Sequence, residues 1–435
     1  MIRRLALTLL MGNAIATCGL TEDWPQWRGP RGDSISTEKG IATKWSPTEN
    51  ILWRCELPGP GGATPIAWKD RLYVTSSKGD DLVLMCIDAK TGKPVWEQQV
   101  GTGNQNARAG EGNSASPSPS TDGQHVYAFF STGVMACYTM DGKKVWSFDA
   151  NERFGKIDIQ FGMSSTPYLH GDSLYMQLIH GAMKRGDQTR TGKVIRLNKL
   201  TGETLWEVDR PTEAQFECKH SYASPFVYDD GKAQFLVVHG ADCTTGHDLR
   251  DGKEIWRLGE LNGPSLYNKG QAELTFRFVA SPSVVPGAII IPTCKAGPTV
   301  ALRVNENLKG QIAGNDKVVR WSFPKTPDVA IPLVKDGLVY NLHNDGKFQC
   351  LDLESGHEYY IQRTHSAQHR SSPFFADGHI YLCNRDGICT VMKEGKEFSV
   401  VATNDLGESI TASPIASNGV LYLRTYQALY AIKQK

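Results

Sequence analysis

Ten polar or basic residues stand at repeated positions along the chain, close to a series of proline-containing segments. They are Asn113, Gln160, His220, Arg277, Lys295, His343, His369, Arg370, Arg385 and Arg424. Arginine and histidine side chains that converge on one point would bind an anion through charge-assisted hydrogen bonds. The same side chains could instead be hydrated at the opening of a channel and bond to loop carbonyls, so both interpretations stay open. No pair has the spacing of a nucleophile and its base, which disfavours a hydrolase or a lyase.

An internal repeat supplies the elements that would position these residues. Eight prolines mark the start of a unit of four short strands and three turns, at Pro65, Pro117, Pro167, Pro225, Pro282, Pro332, Pro373 and Pro414. The spacing ranges from 41 residues, between Pro332 and Pro373, to 58 residues, between Pro167 and Pro225. Four-stranded units that recur at this interval are typical of a β-propeller.

A bulky aromatic residue follows the last turn of each unit and forms a second series. Its members are Trp53, Trp96, Trp146, Trp206, Trp256, Trp321, Tyr359 or Tyr360, and Phe398. The two series are offset, because Trp53 precedes the first proline and no member follows Pro414. We therefore expect residues 51–54 to complete a blade whose other strands come from residues 411–433. The sequence predicts an all-β, eight-bladed β-propeller of four-stranded antiparallel blades, closed by the N-terminal strand joining the last blade.

The loops of such a ring lie on two faces, since strand direction alternates. One face would carry the short Thr-Gly and Asp-Gly turns. The other would carry the second-to-third-strand hairpins and the connections between blades, which are longer and differ from one another. Irregular loops on a rigid scaffold usually carry recognition, so we expect the functional site on this second face.

The N-terminus resembles an export signal rather than part of the fold. Arg3 and Arg4 precede an apolar stretch that ends in small residues, so residues 1–18 are predicted to be a signal peptide. The sequence around Cys18 loosely resembles a lipoprotein box, which leaves lipidation at Cys18 open. Residues 19–44 are expected to form an extended arm, and residues 45–435 the propeller. The expected location is the periplasm or cell envelope, with or without a lipid anchor.

Composition narrows the classes of partner. The chain has 435 residues and a formal charge of +1, with no basic stretch for nucleic acid. No apolar run is long enough for a transmembrane helix.

The ten cysteines include no CxxC pair. Cys383 and Cys389 flank a turn and could form a disulfide, but the sequence does not decide whether they do. We expect a monomer.

Three segments resemble the pyrroloquinoline-quinone (PQQ) repeat. They read CIDAKTGKPVW at 86–96, RLNKLTGETLW at 196–206 and CLDLESGHEYY at 350–360, and the arm sequence DWPQWRGP is similar to the start of exported proteins with this repeat. The resemblance implies the propeller fold. The family includes quinone-dependent alcohol dehydrogenases and non-enzymatic relatives, such as the propeller lipoprotein of the outer-membrane protein assembly machinery.

Two functions follow from this resemblance. The first is an exported, non-catalytic scaffold that binds a protein or a cell-surface polymer and needs no cofactor. The alternative is a PQQ-dependent dehydrogenase of alcohols or sugars, in which His220, Arg277, His369 and Arg370 hold the quinone carboxylates beside a Ca²⁺ ion. The family's dehydrogenases carry a disulfide between adjacent cysteines, a calcium-ligand set and a catalytic Asp. This chain has no adjacent cysteines, and no motif assigns the other two features, so the scaffold is favoured.

Overall fold

The computed structural model describes residues 22–108, 110, 112–183, 192–262, 276–295 and 297–434. Their strands form eight four-stranded antiparallel sheets, as the sequence predicts. We call the sheets blades 1 to 8 and the strands of each blade a to d, with strand a first. The predicted signal peptide and Cys18 lie outside the described residues.

The first four blades follow the chain without interruption. The strands of blade 1 are Ile66–Trp68, Arg71–Lys78, Asp81–Asp88 and Pro94–Gly101. The strands of blade 2 are Ser120–Thr121, His125–Phe129, Val134–Thr139 and Lys144–Asp149. The strands of blade 3 are Tyr168–His170, Ser173–Leu178, Lys193–Asn198 and Thr204–Asp209. The strands of blade 4 are Phe226–Asp229, Gln234–Gly240, Cys243–His247 and Glu254–Leu258.

The last four blades include one that is assembled from both ends of the chain. The strands of blade 5 are Ser283–Val285, Ala288–Pro292, Thr299–Arg303 and Val319–Phe323. The strands of blade 6 are Leu333–Lys335, Leu338–Leu342, Lys347–Asp352 and Glu358–Arg363. The strands of blade 7 are Phe374–Ala376, His379–Cys383, Ile388–Lys393 and Val400–Asp405. The strands of blade 8 are Ile415–Ser417, Val420–Arg424, Ala428–Ile432 and, as strand d, Ile51–Glu56.

Five smaller elements accompany the strands of the blades. They are the helix Ala150–Phe154, the 3-10 helix Phe216–Lys219, the hairpin of Asn106–Arg108 with Gly112–Asn113, and the short strands Ile35–Ser36 and Gly310–Gln311. Gly310–Gln311 pairs in parallel with Trp256 and Arg257 on the outer strand of blade 4. This insertion within blade 5 therefore covers an edge that would otherwise be open to pairing with another chain.

Tryptophans on the outer strands link neighbouring blades. The Trp146 Nε1 of blade 2 donates to the carbonyl of Lys199 in blade 3 at 3.0 Å. The indole also lies over Gly202, where an added Cβ would come within 2.7 Å of Trp146 Cδ2. Four more tryptophan–glycine pairs repeat this contact: Trp53 with Gly92, Trp96 with Gly142, Trp206 with Gly252, and Trp321 with Gly356. The glycine of each turn is thus needed both for its positive φ and for room beneath the indole.

One position of the aromatic series, in blade 7, differs from the prediction, whereas Tyr360 in blade 6 is one of the two predicted alternatives. The residue opposite the middle of strand c is Tyr360 in blade 6 and Ala402 in blade 7. Phe398 lies before strand d of blade 7 and packs edge-on against Tyr360 at 5.6 Å. The spacing alone could not reveal this, because Phe398 follows its turn at nearly the same distance as the other aromatics.

The N-terminal arm lies across the face that carries the a–b turns. It pairs with the inner strands or turns of several blades through the contacts Trp24–Ala67, Pro25–Thr121, Gln26–Leu169, Arg28–Pro332, Ile35–Phe375 and Glu22–Ser417. Trp24 is 1% exposed, and Arg28 is fully buried, with its guanidinium donating to carbonyls. Burial lowers the pKa of Arg28 to about 10. The arm is therefore an integral part of the fold on this face.

Candidate functional site

A cavity of about 220 Å³ lies where the inner ends of the blades meet. Its lining combines small hydroxyl residues that precede the a strands with larger residues from the arm and the blade connections. These are Trp27, Gly62, Thr64, Ala107, Gly112, Ser116, Ser118, Phe161, Ser164, Thr166, Tyr222, Arg277, Val279, Val329, Arg370, Ser372, Thr411 and Ser413. We call it the inner cavity.

Seven hydroxyl side chains form a hydrogen-bonded ring around the inner ends of the blades. Each accepts the backbone N–H of the corresponding residue in the preceding blade, at 2.8 to 3.1 Å. The seven are Thr64, Ser118, Thr166, Ser224, Ser281, Ser372 and Ser413. In blade 6 the position is Ile331, which has no hydroxyl to offer. The ring links blade 8 to blade 1 through the Ser413 N–H and the Thr64 hydroxyl.

Each residue of this ring directly precedes a proline, which explains the repeated Ser-Pro and Thr-Pro pairs in the sequence. In blade 2 the ring residue is Ser118, so the structurally equivalent proline is Pro119 rather than the predicted Pro117. The chain reads Ser-Pro-Ser-Pro at this point, and the sequence alone could not choose between the two pairs.

Trp27 of the arm contributes to the lining of the inner cavity. Its indole packs against Phe226 of blade 4, with ring centroids 6.1 Å apart. Because the arm lies across the a–b-turn face, the polar side of the cavity opens toward the opposite face. We call that opposite face, which carries the b–c hairpins and the blade connections, the mouth face.

An outer cavity adjoins the inner one at the mouth face. The two share Phe161, Arg277 and Arg370. The rest of its lining comes from connections and b–c hairpins, at Glu217, Phe276, Lys295, Asp328, Asn344 and Gln368. Three of the ten predicted site residues, Arg277, Lys295 and Arg370, are therefore brought together here, on the face predicted to be functional.

Two carboxylates accompany these three cations. Arg277 Nε lies 3.7 Å from Glu217 Oε1, and its guanidinium is 5.8 Å from the Phe161 ring centre. Burial raises the pKa of Asp328, and the charges of Arg277 and Arg370 oppose that rise. The Asp328 Oδ1 is buried and has no hydrogen-bond partner among the described residues. We call Arg277, Lys295, Arg370, Glu217 and Asp328 the mouth cluster.

Hydrogen bonds orient the cations of the mouth cluster. Arg370 Nη1 donates to Asn344 Oδ1 at 2.6 Å, and a second guanidinium nitrogen reaches Gln368 Oε1 at 3.4 Å. Arg385 donates to the same Gln368 oxygen at 2.8 Å and to the carbonyl of Gly110 at 3.2 Å. Arg385 therefore supports the rim of the mouth without lining either cavity.

The remaining predicted residues lie outside both cavities. Asn113 is buried, and its amide donates to the Pro60 carbonyl and the Ser77 hydroxyl. His220 is also buried, with Nε2 bonded to the Gly181 carbonyl at 2.8 Å. Gln160 is exposed on the connection that leads to the mouth, and its backbone N–H lies 3.4 Å from His220 Nδ1.

The last three predicted residues are also buried. His343 lies 3.4 Å from Gln349 Oε1, and burial lowers its pKa. Burial likewise lowers the pKa of His369 to about 4, so its ring is neutral near pH 7. Arg424 donates to the carbonyls of Ala63 and Thr75 at 2.8 and 2.9 Å, and burial lowers its pKa to about 9. This arginine stabilises the junction between blade 8 and blade 1.

Sequence reasoning missed several lining residues. Trp27 belongs to the predicted extended arm, and nothing in the sequence indicates that this arm reaches the inner cavity. Asp328 has a left-handed backbone, with φ of 72°, within a connection that has no repeat pattern. The hydroxyl ring did have a signal, because Ser or Thr precedes the proline in most units.

The quinone and calcium of the alternative function fit these residues only in part. Arg277, Arg370 and Lys295 are suited to the carboxylates of a quinone. Calcium takes six to eight oxygen ligands, whereas the mouth cluster offers two carboxylates that face cations. The described part of the chain holds no group of three His, Cys, Asp or Glu residues that could bind a metal ion. The donor set therefore does not fit a calcium ion.

Nine cysteines are described, and all nine are buried thiols. The sequence did not decide whether Cys383 and Cys389 form a disulfide. In the structure both are free thiols, and they lie opposite each other on strands b and c of blade 7. Within the described ranges, no helix has the length and apolar character to cross a membrane.

Comparison with known proteins places the chain among the propellers that the sequence resembles. The family model described as outer membrane protein assembly factor BamB matches residues 34–147, 108–362 and 245–435. The outer membrane protein assembly factor BamB of Yersinia pestis is 24% identical over 317 residues, which cover 70% of each chain. A polyvinylalcohol dehydrogenase of a Pseudomonas species is 23% identical over 196 residues, which cover 43% of this chain and 29% of that protein.

Solved structures share the fold. BamB from Moraxella catarrhalis superposes with a TM-score of 0.60 and 11% identity, over 88% of this chain and 97% of that one. The quinohemoprotein alcohol dehydrogenase from Comamonas testosteroni gives a TM-score of 0.54 and 12% identity, over 94% and 80%. The predicted resemblance to PQQ-repeat propellers is thus confirmed, for both its non-enzymatic and its dehydrogenase branches.

Proposed function

This chain belongs to the outer membrane protein assembly factor BamB family, and on that premise we propose that it is an exported, non-catalytic scaffold of the cell envelope. Its partner would be a protein that docks on the mouth face. The family match, which extends from residue 34 to residue 435, carries this proposal. The relative from Yersinia pestis, named as an assembly factor, supports a protein partner over a polymer.

The mouth face is the docking surface that the geometry supports best. Its loops are irregular and carry three cations and two carboxylates around the opening of the inner cavity. On the opposite face the arm already covers the inner strands through backbone hydrogen bonds. A partner would therefore meet charged side chains at the mouth, and Arg277 and Arg370 are the central candidates for its anchor points.

Site-specific photo-crosslinking in intact cells tests this proposal. A photoreactive amino acid is placed at Gln160 or Lys295, both exposed on the mouth face, and at Arg250 on a c–d turn as the matched control. We expect one and the same cross-linked protein from both mouth positions, identified by mass spectrometry, and none from Arg250. Adducts only at Arg250, or only to a glycan, would contradict a protein partner on the mouth face.

Cell fractionation tests the location. We expect the mature protein in the periplasm or outer-membrane fraction, cleaved near residue 18. Membrane attachment that is lost on replacing Cys18 with Ser would support the lipid anchor. Recovery of the uncleaved chain in the cytoplasm would contradict the envelope location. The same fractions, analysed by light scattering, test whether the protein is a monomer.

The dehydrogenase remains the second candidate because one relative is named polyvinylalcohol dehydrogenase and because the mouth cations suit quinone carboxylates. Purified protein supplied with PQQ and Ca²⁺ should reduce a dye with an alcohol, a sugar or polyvinyl alcohol if this function holds. Absence of both dye reduction and bound quinone absorbance would leave the scaffold as the function. The poor fit of calcium to the mouth cluster favours that result.

A further inference from the structure

Five hydroxyl groups of the ring line the inner cavity and keep a proton to donate. Thr64, Ser118, Thr166, Ser372 and Ser413 each accept one backbone N–H. None of the five donates its own proton to another described residue. The hydroxyl of Thr411, on the same wall, is buried and has no partner among the described residues. Buried hydroxyl protons are seldom left without an acceptor, so the cavity wall is suited to a ligand rich in acceptor oxygens.

Positive charge stands where such a ligand would enter. Arg277 lines both cavities, and its side chain is 19% exposed. It forms a loose ion pair with Glu217 but donates no hydrogen bond to another described residue. A guanidinium has five N–H donors in a planar fork that matches a carboxylate. Arg370 lies on the same boundary, and with Lys295 the cations outnumber the carboxylates of Glu217 and Asp328, so the entrance favours an anion.

The shape of the cavity selects the end of a chain over a continuous segment. The arm crosses the a–b-turn face and its Trp27 lines the inner cavity, so a ligand is expected to enter from the mouth face. The volume of about 220 Å³ is below the 300 to 1,000 Å³ that is usual for drug-sized ligands. A loop would have to bring two strands in side by side, whereas a terminus needs room for one.

From these features we propose that the inner cavity binds the C-terminal carboxylate of a polypeptide partner. This inference rests on the proposed function, because it names the chemistry of the protein that docks on the mouth face. The terminal carboxylate would pass Arg277 and Arg370 and accept hydrogen bonds from the hydroxyl wall. The last side chain would pack against Trp27 and the apolar residues Val279 and Val329. Capture of a C-terminal carboxylate is a recurring mode of peptide recognition.

Amidation of the peptide terminus isolates the carboxylate. The probes are two fluorescein-labelled pentapeptide libraries of random sequence, one with free C-terminal carboxylates and one with C-terminal amides, titrated against the purified full chain. Fluorescence anisotropy identifies the peptides that bind most tightly, and each is then compared with the peptide of the same sequence that carries the other C-terminal group. We expect amidation to weaken binding at least tenfold, with further weakening at high salt. Equal affinity of both forms would overturn the proposal.

Two variants and one control locate the binding. Arg277→Gln should weaken the free-carboxylate peptide at least fivefold and leave the amide unchanged. Thr411→Val, which removes a hydroxyl while keeping the side-chain shape, should weaken it about threefold. Arg250→Gln, on the distant c–d turn, should bind like the wild type. Circular dichroism and thermal unfolding confirm that each variant is folded. A loss that is as large for the amide as for the carboxylate would overturn the assignment.

Small carboxylates distinguish a chain end from a free metabolite. If citrate or glucuronate binds as tightly as the best peptide, the ligand is a small carboxylate and the proposal is overturned. The cross-linking experiment separates this inference from the proposed function. If cross-links form on the mouth face but peptides with free and amidated C-termini bind equally, only the inference of carboxylate binding is refuted. Carboxylate-dependent peptide binding without mouth-face adducts in cells refutes the scaffold and leaves the binding site standing.

Discussion

The contact between outer tryptophans and turn glycines makes a quantitative prediction at Gly202. Replacing Gly202 with Ala adds a Cβ that would lie 2.7 Å from Trp146 Cδ2, which is closer than real Cβ atoms approach other atoms. Gly231→Ala is the matched control. Both glycines have positive φ, 71° and 79°, but an added Cβ at Gly231 meets nothing within 4 Å. The two variants therefore share the backbone cost and differ only in the indole.

The expected difference follows from two terms, because the backbone cost is common to both sites. Alanine in the left-handed region costs about 1–2 kcal/mol, and the lower entropy of the unfolded chain offsets about 0.4–1 kcal/mol of it at both sites. Only at Gly202 does the indole have to move, which adds about 1–3 kcal/mol of overpacking. The bond from Trp146 Nε1 to the Lys199 carbonyl, now 3.0 Å long, would be lost for about 1 kcal/mol more. Gly202→Ala should thus destabilise by about 2–4 kcal/mol beyond the control.

Thermal unfolding measures this difference. For 435 residues unfolding as one unit, an entropy of about 2.1 cal/mol/K per residue gives about 0.9 kcal/mol/K. The Tm of Gly202→Ala should therefore fall about 2–4 °C below that of Gly231→Ala. In a Trp146→Ala background the two alanine variants should become equivalent, because the indole is gone. Equal Tm values in the wild-type background, or a persistent gap in the Trp146→Ala background, would refute the reasoning.

Three further predictions concern the ring, the arm and pH. Ser372→Ala should lower the free energy of unfolding by about 1–3 kcal/mol in urea titrations, because the buried Ile331 N–H loses its acceptor, whereas Ser372→Thr should not. Trp24→Ala should cost about 3–5 kcal/mol in the same titrations, since the indole is 1% exposed, and a smaller loss would mean that the arm contributes little. Burial raises the pKa of Asp242 to about 6, so the unfolded chain ionises first and stability falls as pH rises from about 4 to about 6. Between pH 4.5 and 7.5 the wild type should lose about 2 kcal/mol relative to Asp242→Asn, and parallel pH profiles would contradict this origin.

The repeat made the fold predictable because each blade uses the same local solutions. The contact between Gly202 and the Trp146 indole is one such solution, because it requires a glycine in the turn and a large ring on the strand of the neighbouring blade. The sequence could not distinguish Phe398 from a true outer-strand aromatic, because the turn of blade 7 is longer and Ala402 takes the equivalent position.

The site was less predictable because position in the repeat does not fix the direction of a long side chain. Arg277 and Arg424 were both expected at the opening. Arg277 reaches the cavities, whereas Arg424 turns into the junction of blades 8 and 1 and bonds to carbonyls. Trp27 reaches the inner cavity only because the arm crosses the face of the ring, and that path depends on contacts with several blades.

Blade 8 ties the completion of folding to two segments that lie far apart in the sequence. Arg54 of its outer strand contacts Tyr430, a partner 376 residues further along the chain. During synthesis or secretion, residues 51–56 therefore keep an unpaired edge until residues 428–432 are available to pair with them. Such long-range pairing is slow and leaves an aggregation-prone intermediate. A chain truncated before residue 428 would therefore expose that strand edge to aggregation or to chaperones. Strand d of blade 8 can thus join its sheet only in chains that include residues 428–432.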